Sequence, residues 1–215
     1  NLTFGGGDRW SIYLYQARNV AVQDVNSSGK IRFMYVYGGR YISLSGANVT
    51  GIPAGDYTFR SEDTYDLEIK DSTFRSSVQN GGPPISIEGI GTNQIVESCM
   101  FNRTPVTDNR FGAGRIANST FEDSLLTIEN GDTGGVISGN RFESAINDGV
   151  QLENSYRLTI RRNVFHTRVG VYFDDIAWQT DTARGYIEKN VFESCNNGIM
   201  NKIDIYTSRP GYWTI

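Results

Sequence analysis

The stretch DGVQLENSYRLTIRRNVFHTRVGVYF (residues 148–173) contains the pattern that decides the fold. In its first part apolar Val150 and Leu152 alternate with polar residues, which predicts a short strand with one buried face. Its second part, LTIRRNVF (158–165), has an apolar residue, a polar turn sequence and a closing Phe165. This arrangement is typical of two short strands joined by a tight turn. The stretch therefore predicts three short strands in one repeat.

The second part of this pattern recurs along the chain with the same order of apolar, polar and closing residues. The copies are ISLSGANV (42–49), LEIKDSTF (67–74), QIVESCMF (94–101), GRIANSTF (114–121), GVISGNRF (135–142), LTIRRNVF (158–165) and GYIEKNVF (185–192), with a shorter copy VAVQDV (20–25). The closing residues are 20 to 27 positions apart, so loops must absorb the differences. Upstream of most copies lies an alternating pair, namely Ile12/Leu14, Tyr57/Phe59, Ile85/Ile87, Leu126/Ile128, Val150/Leu152 and Val171/Phe173.

Asparagine recurs at the turn of the later copies, where Asn140, Asn163 and Asn190 lie two residues before the closing phenylalanine. Asparagine tolerates the left-handed backbone conformation better than most residues, and stacked asparagines can hydrogen-bond to one another. Other copies have Ala47, Ser72, Cys99 or Ser119 at this place. We therefore expect a partial asparagine ladder.

The repeat favours a solenoid, because one coil of three short strands cannot bury its apolar side alone, whereas stacked coils can. A sandwich of hairpins would need Asn-Gly or Gly-Gly turns that recur with the repeat, and the glycine pairs here do not. We expect an all-β fold over residues 1–215: one parallel β-helix domain of about eight to nine coils with three short strands per coil. Whether the chain is part of a longer protein stays open.

The run 148–173 resembles the right-handed parallel β-helix repeat of pectate-lyase-like proteins. That group includes polysaccharide lyases, glycoside hydrolases, uronan epimerases and viral tailspikes. The resemblance implies a right-handed coil, a ligand groove along the first strand of each coil and a polysaccharide or oligosaccharide partner. The matching residues are structural, and a fold does not determine an activity.

Alternation fixes which residues face outward in such a groove. The positions between the paired apolar residues are Tyr13, Thr58, Ser86, Thr127, Gln151 and Tyr172, and those just after the pairs are Tyr15, Arg60, Glu88, Glu129, Glu153 and Asp174. Parallel strands lie about 4.8 Å apart, so the last three acids should form a ladder of carboxylates. The catalytic candidates are Glu88, Glu129, Glu153, Asp174 and the adjoining Asp175.

Three interpretations of this acidic column remain open. Paired carboxylates at such spacings suit glycoside hydrolysis, retaining or inverting. Carboxylate oxygens also bind Ca²⁺, which is the one cofactor that the sequence suggests. The third interpretation is a solvated edge at which acids are simply common.

Several other outward residues are candidates for contact with sugar. Trp10, Tyr13 and Tyr15 could stack on sugar rings, and Tyr172 and Gln151 lie beside the acids. Arg60 could pair with a uronate, although a salt bridge to Glu62 or Glu88 is the simpler expectation. His166, the single histidine, follows a different strand and should lie off the groove, which argues against a Ser-His-Asp triad.

Asp174 and Asp175 are similar to the paired aspartates of polygalacturonases. The surrounding VYFDDIAWQ lacks that family's flanking residues, and no Gly-His-Gly or Arg-Ile-Lys is present. The polygalacturonase mechanism is therefore not transferred to this chain.

Composition excludes several classes of function. A formal net charge of -4 without any basic run argues against a nucleic-acid partner, and no apolar run approaches the roughly 20 residues of a membrane-spanning helix. Cys99 and Cys195 should be free thiols, because the repeat places them several coils apart.

Two functional hypotheses follow. The first is a carbohydrate-active enzyme, a hydrolase, lyase or epimerase that acts on a polysaccharide in the groove. The second is a non-catalytic glycan-binding or structural module, such as a tailspike or adhesin shaft, which could assemble as a homotrimer. Both place the protein outside the cell, on a cell surface or on a virion.

Overall fold

The structure is a computed structural model that describes residues 2–4, 9–29, 32–55, 57–78, 84–89, 93–131, 134–155, 157–174, 184–201 and 212–214. The regular structure of these residues consists of β-strands, and none of them forms a helix that could cross a membrane. In chain order the strands are β1 (Leu2–Phe4), β2 (Ile12–Tyr15), β3 (Arg18–Gln23), β4 (Val25–Ser28), β5 (Met34–Tyr37), β6 (Arg40–Ser45), β7 (Asn48–Ile52), β8 (Phe59–Lys70), β9 (Thr73–Ser76), β10 (Ile85–Gly89), β11 (Ile95–Glu97), β12 (Met100–Asn102), β13 (Val106–Asn109), β14 (Arg115–Ala117), β15 (Thr120–Glu122), β16 (Leu126–Glu129), β17 (Val136–Ser138), β18 (Arg141–Glu143), β19 (Val150–Glu153), β20 (Thr159–Arg161), β21 (Val164–His166), β22 (Val169–Asp174), β23 (Arg184–Glu188), β24 (Val191–Phe192), β25 (Asn197–Asn201) and β26 (Tyr212–Thr214).

The strands stack into three parallel sheets, to each of which every coil contributes one strand. Sheet 1 contains β2, β5, the first half of β8, β10, β13, β16, β19, β22 and β25. Sheet 2 contains β3, β6, the second half of β8, β11, β14, β17, β20, β23 and β26. Among the described residues, sheet 3 has nine strands, β1, β4, β7, β9, β12, β15, β18, β21 and β24.

This arrangement confirms the all-β parallel β-helix that the sequence predicts. The expected eight to nine coils slightly exceed the number observed. In the described residues, seven of the nine strands of sheet 3 have a neighbouring strand on both sides, which corresponds to about seven complete turns. The copies found in the sequence correspond to a strand of sheet 2, a turn and a strand of sheet 3, and the upstream pairs lie in sheet 1.

Identical side chains stack inside the coils. The rings of Phe74, Phe101, Phe121, Phe142, Phe165 and Phe192 form one column, with neighbouring centroids 4.7 to 5.7 Å apart. The spacing of parallel strands, about 4.8 Å, falls within the range that offset stacked rings prefer. Backbone pairing and ring stacking therefore support the same coil-to-coil distance.

The asparagine ladder is present, and its side chains hydrogen-bond to one another as expected: the amide of Asn140 donates to Oδ1 of Asn163 at 3.1 Å, and that of Asn163 donates to Oδ1 of Asn190 at 3.0 Å. The asparagines themselves do not have the left-handed conformation that we expected. The backbone N–H of Asn140 donates to Oδ1 of Asn163 (2.9 Å), and that of Asn163 donates to Oδ1 of Asn190 (3.0 Å). The left-handed residues are the preceding ones, such as Gly139, at φ 66°, and Arg162, at φ 55°. Asparagine stands here because its buried amide pairs with backbone groups, and not because of its own φ.

Serine takes the same place in other coils. The N–H of Ala47 donates to Oγ of Ser72 and that of Cys99 donates to Oγ of Ser119, both at 3.1 Å. Cys99 is a free and buried thiol whose pKa is raised by burial to about 12, and Cys195 is also free, as predicted.

The third coil corrects one predicted register. Phe59, and not Tyr57, aligns with Met34 and Ile85, so Phe59 and Ser61 point inward. Thr58, which we expected to face outward, is fully buried. Alternation of apolar residues was misleading here, because a small serine occupies an inward position and an aromatic residue precedes the strand.

Three strands of sheet 1, β5, β13 and β25, were missed in the sequence. The strand β5 has the sequence MYVY, in which outward tyrosines hide the alternation of apolar and polar residues. In β13 the inward partner of Val106 is Asp108, a fully buried carboxyl group that lies between Ile87 and Ile128 in register.

Asp108 should make stability depend on pH. Burial raises the pKa of this carboxyl group well above its usual value, whereas an aspartate in an unfolded chain titrates near about 3.9. Above that pH the folded state binds more protons than the unfolded state, so the free energy of unfolding falls as pH rises through the raised pKa. Asp108→Asn should remove this loss, so that its stability relative to the parent grows from about pH 4 to pH 7. Urea unfolding of both proteins at several pH values measures this difference in the free energy of unfolding.

The exposed Asp71 provides the matched control, because Asp71→Asn makes the same chemical change at the surface. Its unfolding free energy should follow that of the parent. A constant difference between Asp108→Asn and the parent over this pH range would contradict the prediction.

Candidate functional site

The outer face of sheet 1 presents two columns of side chains that run along the stack. The first column is Tyr13, Tyr35, Arg60, Ser86, Thr107, Thr127, Gln151 and Tyr172. The second is Tyr15, Tyr37, Glu62, Glu88, Asn109, Glu129, Glu153 and Asp174. We call this surface the sheet 1 face; it has an aromatic end, a charged centre and an acidic end.

The aromatic end brings together the three rings that the sequence indicated and two that it missed. Trp10 and Tyr13 each lie 5.3 Å from the ring of Tyr35, and Tyr15 stacks on Tyr37 at 5.6 Å with an interplanar angle of 6°. Tyr13 and Tyr15 are more than half exposed, at 56% and 58%. The tyrosines of β5 could have been found from the MYVY sequence, because two outward aromatic residues two positions apart suit an exposed strand face.

The charged centre is organised by Arg60, which belongs to the first column and not, as we expected, to the second. Its Nε lies 2.5 Å from Oε1 of Glu62, and one terminal nitrogen lies 3.8 Å from Oε1 of Glu88. The guanidinium also lies 4.8 Å from the ring centroid of Tyr57. The predicted salt bridge is confirmed, whereas pairing of Arg60 with a uronate stays a prediction.

Tyr35 couples the aromatic end to this centre. Burial, together with the hydrogen bond and the negative charge of Glu62, raises the pKa of the Tyr35 phenol to about 12. Ser86 adds a second polar contact, because its hydroxyl donates to Oε1 of Glu88 at 3.4 Å. Aromatic rings and charged groups therefore form one connected surface.

The acidic end has the predicted register, with Glu129, Glu153 and Asp174 in successive coils. The amide of Gln151 donates to Oε1 of Glu153 at 2.8 Å and to Oδ2 of Asp174 at 3.3 Å, so it bridges two carboxylates. Asp175, the remaining catalytic candidate, lies outside the described residues.

The acidic column is interrupted between Glu88 and Glu129, where the missed strand β13 places Asn109. Asn109 accepts a hydrogen bond from the amide of Asn130 at 3.1 Å, and Asn130 accepts one from Asn154 at 2.6 Å. Glu88 also lines a cavity of about 110 Å³ with Asp63, Asn109 and Arg110. Glu88 thus belongs to the charged centre, and not to the three-carboxylate ladder.

His166 lies on sheet 3, away from the sheet 1 face, as predicted. Its Nε2 is 2.5 Å from Oε2 of Glu193, and its Nδ1 is 3.8 Å from Oε1 of Glu143. Across the part of the chain that the structure describes, no group of three or more His, Cys, Asp and Glu side chains is arranged to hold a metal ion. The calcium interpretation stays a prediction.

The comparison with protein families agrees with this architecture. A family described as the right-handed β-helix region matches residues 10–203, which is most of the chain. Together with the stacked parallel coils, this match shows that the chain belongs to the right-handed β-helix family, and it confirms the predicted resemblance. No curated protein matches the chain.

The link between Tyr35 and Glu62 can be tested by titration. Glu62→Gln removes the negative charge that faces the phenol, so the pKa of Tyr35 should fall from about 12. It should stay above the ordinary value of 10.0, because burial is the largest cause of the shift. Titration of ¹³C-labelled tyrosine by NMR measures this.

The control is Glu88→Gln, which neutralises the other carboxylate near Arg60 but not one that raises the pKa of Tyr35. It should leave the titration of Tyr35 almost unchanged. Equal effects of the two variants would show that Glu62 has no special contact with the phenol.

Proposed function

We propose that this protein binds a polysaccharide along the sheet 1 face and hydrolyses it at the acidic end. The observation that carries the proposal is the continuity of that face, on which stacked exposed rings lead through an arginine–carboxylate centre to a ladder of three acids. A linear polymer that lies parallel to the stack would meet one pair of outward side chains in every coil.

The aromatic end suits the recognition of sugar rings. A pyranose has an apolar face that packs against an aromatic ring, while its hydroxyl groups reach polar neighbours. The half-exposed Tyr13 and Tyr15 provide such rings. Tyr13 packs against Tyr35 with tilted rings and Tyr15 stacks on Tyr37, which holds both in place, so little side-chain entropy is lost on binding.

The acidic end suits the cleavage of a glycosidic bond. Carboxylates in adjacent coils are near the strand spacing of about 4.8 Å, which approaches the roughly 5 to 5.5 Å of retaining glycosidases. Gln151 donates to Oε1 of Glu153 and so orients this carboxylate, which suits a nucleophile. Glu129 lies in the next coil and receives no hydrogen bond from Gln151, which suits a proton donor.

The reaction would run in two steps. In the first, the Glu129 carboxyl group protonates the glycosidic oxygen while a Glu153 oxygen attacks the anomeric carbon and the bond to the leaving sugar breaks. In the second, Glu129 removes a proton from water, which attacks the same carbon and releases Glu153. Asp174 accepts a hydrogen bond from the same Gln151 amide as Glu153, so Asp174 helps to position Gln151 beside Glu153.

Binding without cleavage is the second candidate function, and one observation favours it. Four acids of the sheet 1 face already accept hydrogen bonds or pair with a cation: Glu153 and Asp174 with Gln151, and Glu62 and Glu88 with Arg60. Carboxylate oxygens accept hydrogen bonds from sugar hydroxyls, and the partners on the protein hold these four carboxylates in fixed positions to do so. The same face would then hold a glycan without breaking it.

Affinity measurements over a panel of polysaccharides test the binding proposal. Tyr13→Ala should weaken binding of the responsive polymer by about 2- to 10-fold, the range expected for one aromatic contact. Tyr186→Ala is the matched control, because this tyrosine is also exposed, at 46%, but lies on sheet 2. Equal affinity of parent and Tyr13→Ala for every polymer that binds would count against the sheet 1 face.

Cleavage is tested with the same panel by the release of reducing ends and by the ultraviolet absorbance of unsaturated ends. Glu129→Gln and Glu153→Gln should each lower the rate by about 10²- to 10⁴-fold with affinity retained, and Asp174→Asn should lower it less. Unsaturated products would show that the protein cleaves the polymer by elimination and not by hydrolysis. Binding without products from any polymer would support the second candidate, and full rates in all three variants would refute the assignment.

A further inference from the structure

A tyrosine on sheet 2 occupies a backbone position that suits asparagine or aspartate. The register of β3, β6 and β8 places Asn19, Tyr41 and Asp66 in one row across three coils. All three have left-handed backbone angles, with φ of 53°, 56° and 52°. Asparagine and aspartate tolerate this conformation, whereas a bulky side chain there is a conformational outlier. Tyr41 therefore costs stability that an asparagine would not.

The ring of Tyr41 is exposed and held in place. Tyr41 is 51% exposed, and the guanidinium of Arg40 lies 5.0 Å from its ring centroid. Nε of Arg40 is 4.0 Å from Oδ2 of Asp66, and the amide of Asn93 donates to Oδ1 of Asp66 at 3.0 Å. Arg40 thus contacts the ring on one side and the carboxylate of Asp66 on the other, and Asn93 orients that carboxylate.

This ring borders a cleft of about 460 Å³ on the outer side of sheet 2. The lining includes Tyr41, Ser43, Asp66, Glu68, Asn93 and Ile95. Ser43, Glu68 and Ile95 come from adjacent strands of sheet 2 and are aligned in register. The volume falls within the range of small-molecule sites, about 300 to 1,000 Å³, and the lining offers one aromatic surface with several hydrogen-bonding groups.

The chemistry of the lining selects a ligand class. A pyranose ring packs its apolar face on an aromatic ring and donates its hydroxyl protons to carboxylates. The carboxylates of Asp66 and Glu68 line the cleft and would repel that of a uronate. Arg40 and Lys70 pair with these acids but do not line the cleft. A neutral sugar therefore fits the cleft better than an acidic one.

We propose that this cleft is a second carbohydrate-binding site, specific for neutral pyranose units and separate from the sheet 1 face. Its strained, exposed Tyr41 is retained for contact with the sugar. The two sites lie on different sheets around one core, so each can be occupied without the other. The second site does not depend on whether the sheet 1 face binds or cleaves anything.

The test is NMR of ring-labelled tyrosine during titration with neutral trisaccharides built from glucose, galactose, mannose or N-acetylglucosamine, and with trigalacturonate as the acidic comparison. The Tyr41 signal is the one missing from the spectrum of Tyr41→Asn. At least one neutral trisaccharide should shift it in a saturable way, and trigalacturonate should shift it less. Tyr41→Asn, whose affinity is measured by isothermal titration calorimetry because it lacks the reporter ring, should bind that trisaccharide about 3- to 10-fold more weakly with an unchanged or raised Tm.

Two further variants separate the sites. Tyr186→Thr removes another exposed tyrosine of sheet 2, whose neighbours in register are threonines, and it should leave the titration unchanged. A Tyr13→Ala/Tyr35→Ala double variant should also leave the Tyr41 shift intact, even if the sheet 1 face proves to bind nothing.

Three results would overturn the proposal. The first is a Tyr41 signal that no neutral trisaccharide shifts. The second is equal affinity of the parent and Tyr41→Asn for the trisaccharide that does shift it. The third is loss of the Tyr41 shift in the double variant, because the cleft would then not be a separate site.

Discussion

Parallel hydrogen bonding between coils is the constraint on which the rest of this structure depends. It sets one spacing, about 4.8 Å, at which every side chain meets its counterpart in the next coil. Inside, this repetition favours residues that pack well against an identical residue in the next coil, as the stacked phenylalanines from Phe74 to Phe192 do. Outside, the same repetition places like residues side by side, whether they attract or repel one another.

The sheet 1 face has both favourable and unfavourable contacts between like residues of successive coils. Tyrosines stack on tyrosines at one end, where repetition is favourable. Carboxylates repeat at the other end, where repetition is costly, and the amide of Gln151 between Glu153 and Asp174 offsets part of that cost. Arg60 performs a similar role for Glu62 and Glu88. A surface that separates rings from charges in this way has a direction, so a polymer bound along it would meet different chemistry at its two ends.

Much of the fold could be predicted from the sequence, because the interior repeats a few strongly apolar residues. Most strands of sheets 2 and 3 were found from their repeated apolar and closing residues, although β1 and β26 at the ends of the stack were not. The register of Glu129, Glu153 and Asp174 followed from simple alternation. The prediction was wrong where inward residues are polar. Ser61 and Asp108 point into the core, so the strand containing Arg60 was shifted and β13 was missed. The tyrosines of β5 were missed for the opposite reason, because their outward residues are aromatic. The left-handed backbone of Tyr41 was not predicted, because the asparagine or aspartate that marks this position in the neighbouring coils, at Asn19 and Asp66, is replaced here by tyrosine.

The ladder at the turn between sheets 2 and 3 gives the stack a direction of its own. Five backbone N–H groups in it, those of Ala47, Cys99, Ser119, Asn140 and Asn163, donate to a side chain of the coil that comes later in the chain. A coil at the growing end of a nascent chain thus has an unmet donor until its successor arrives. Assembly that starts from the amino-terminal side is completed one turn at a time, and each new coil satisfies the one before it.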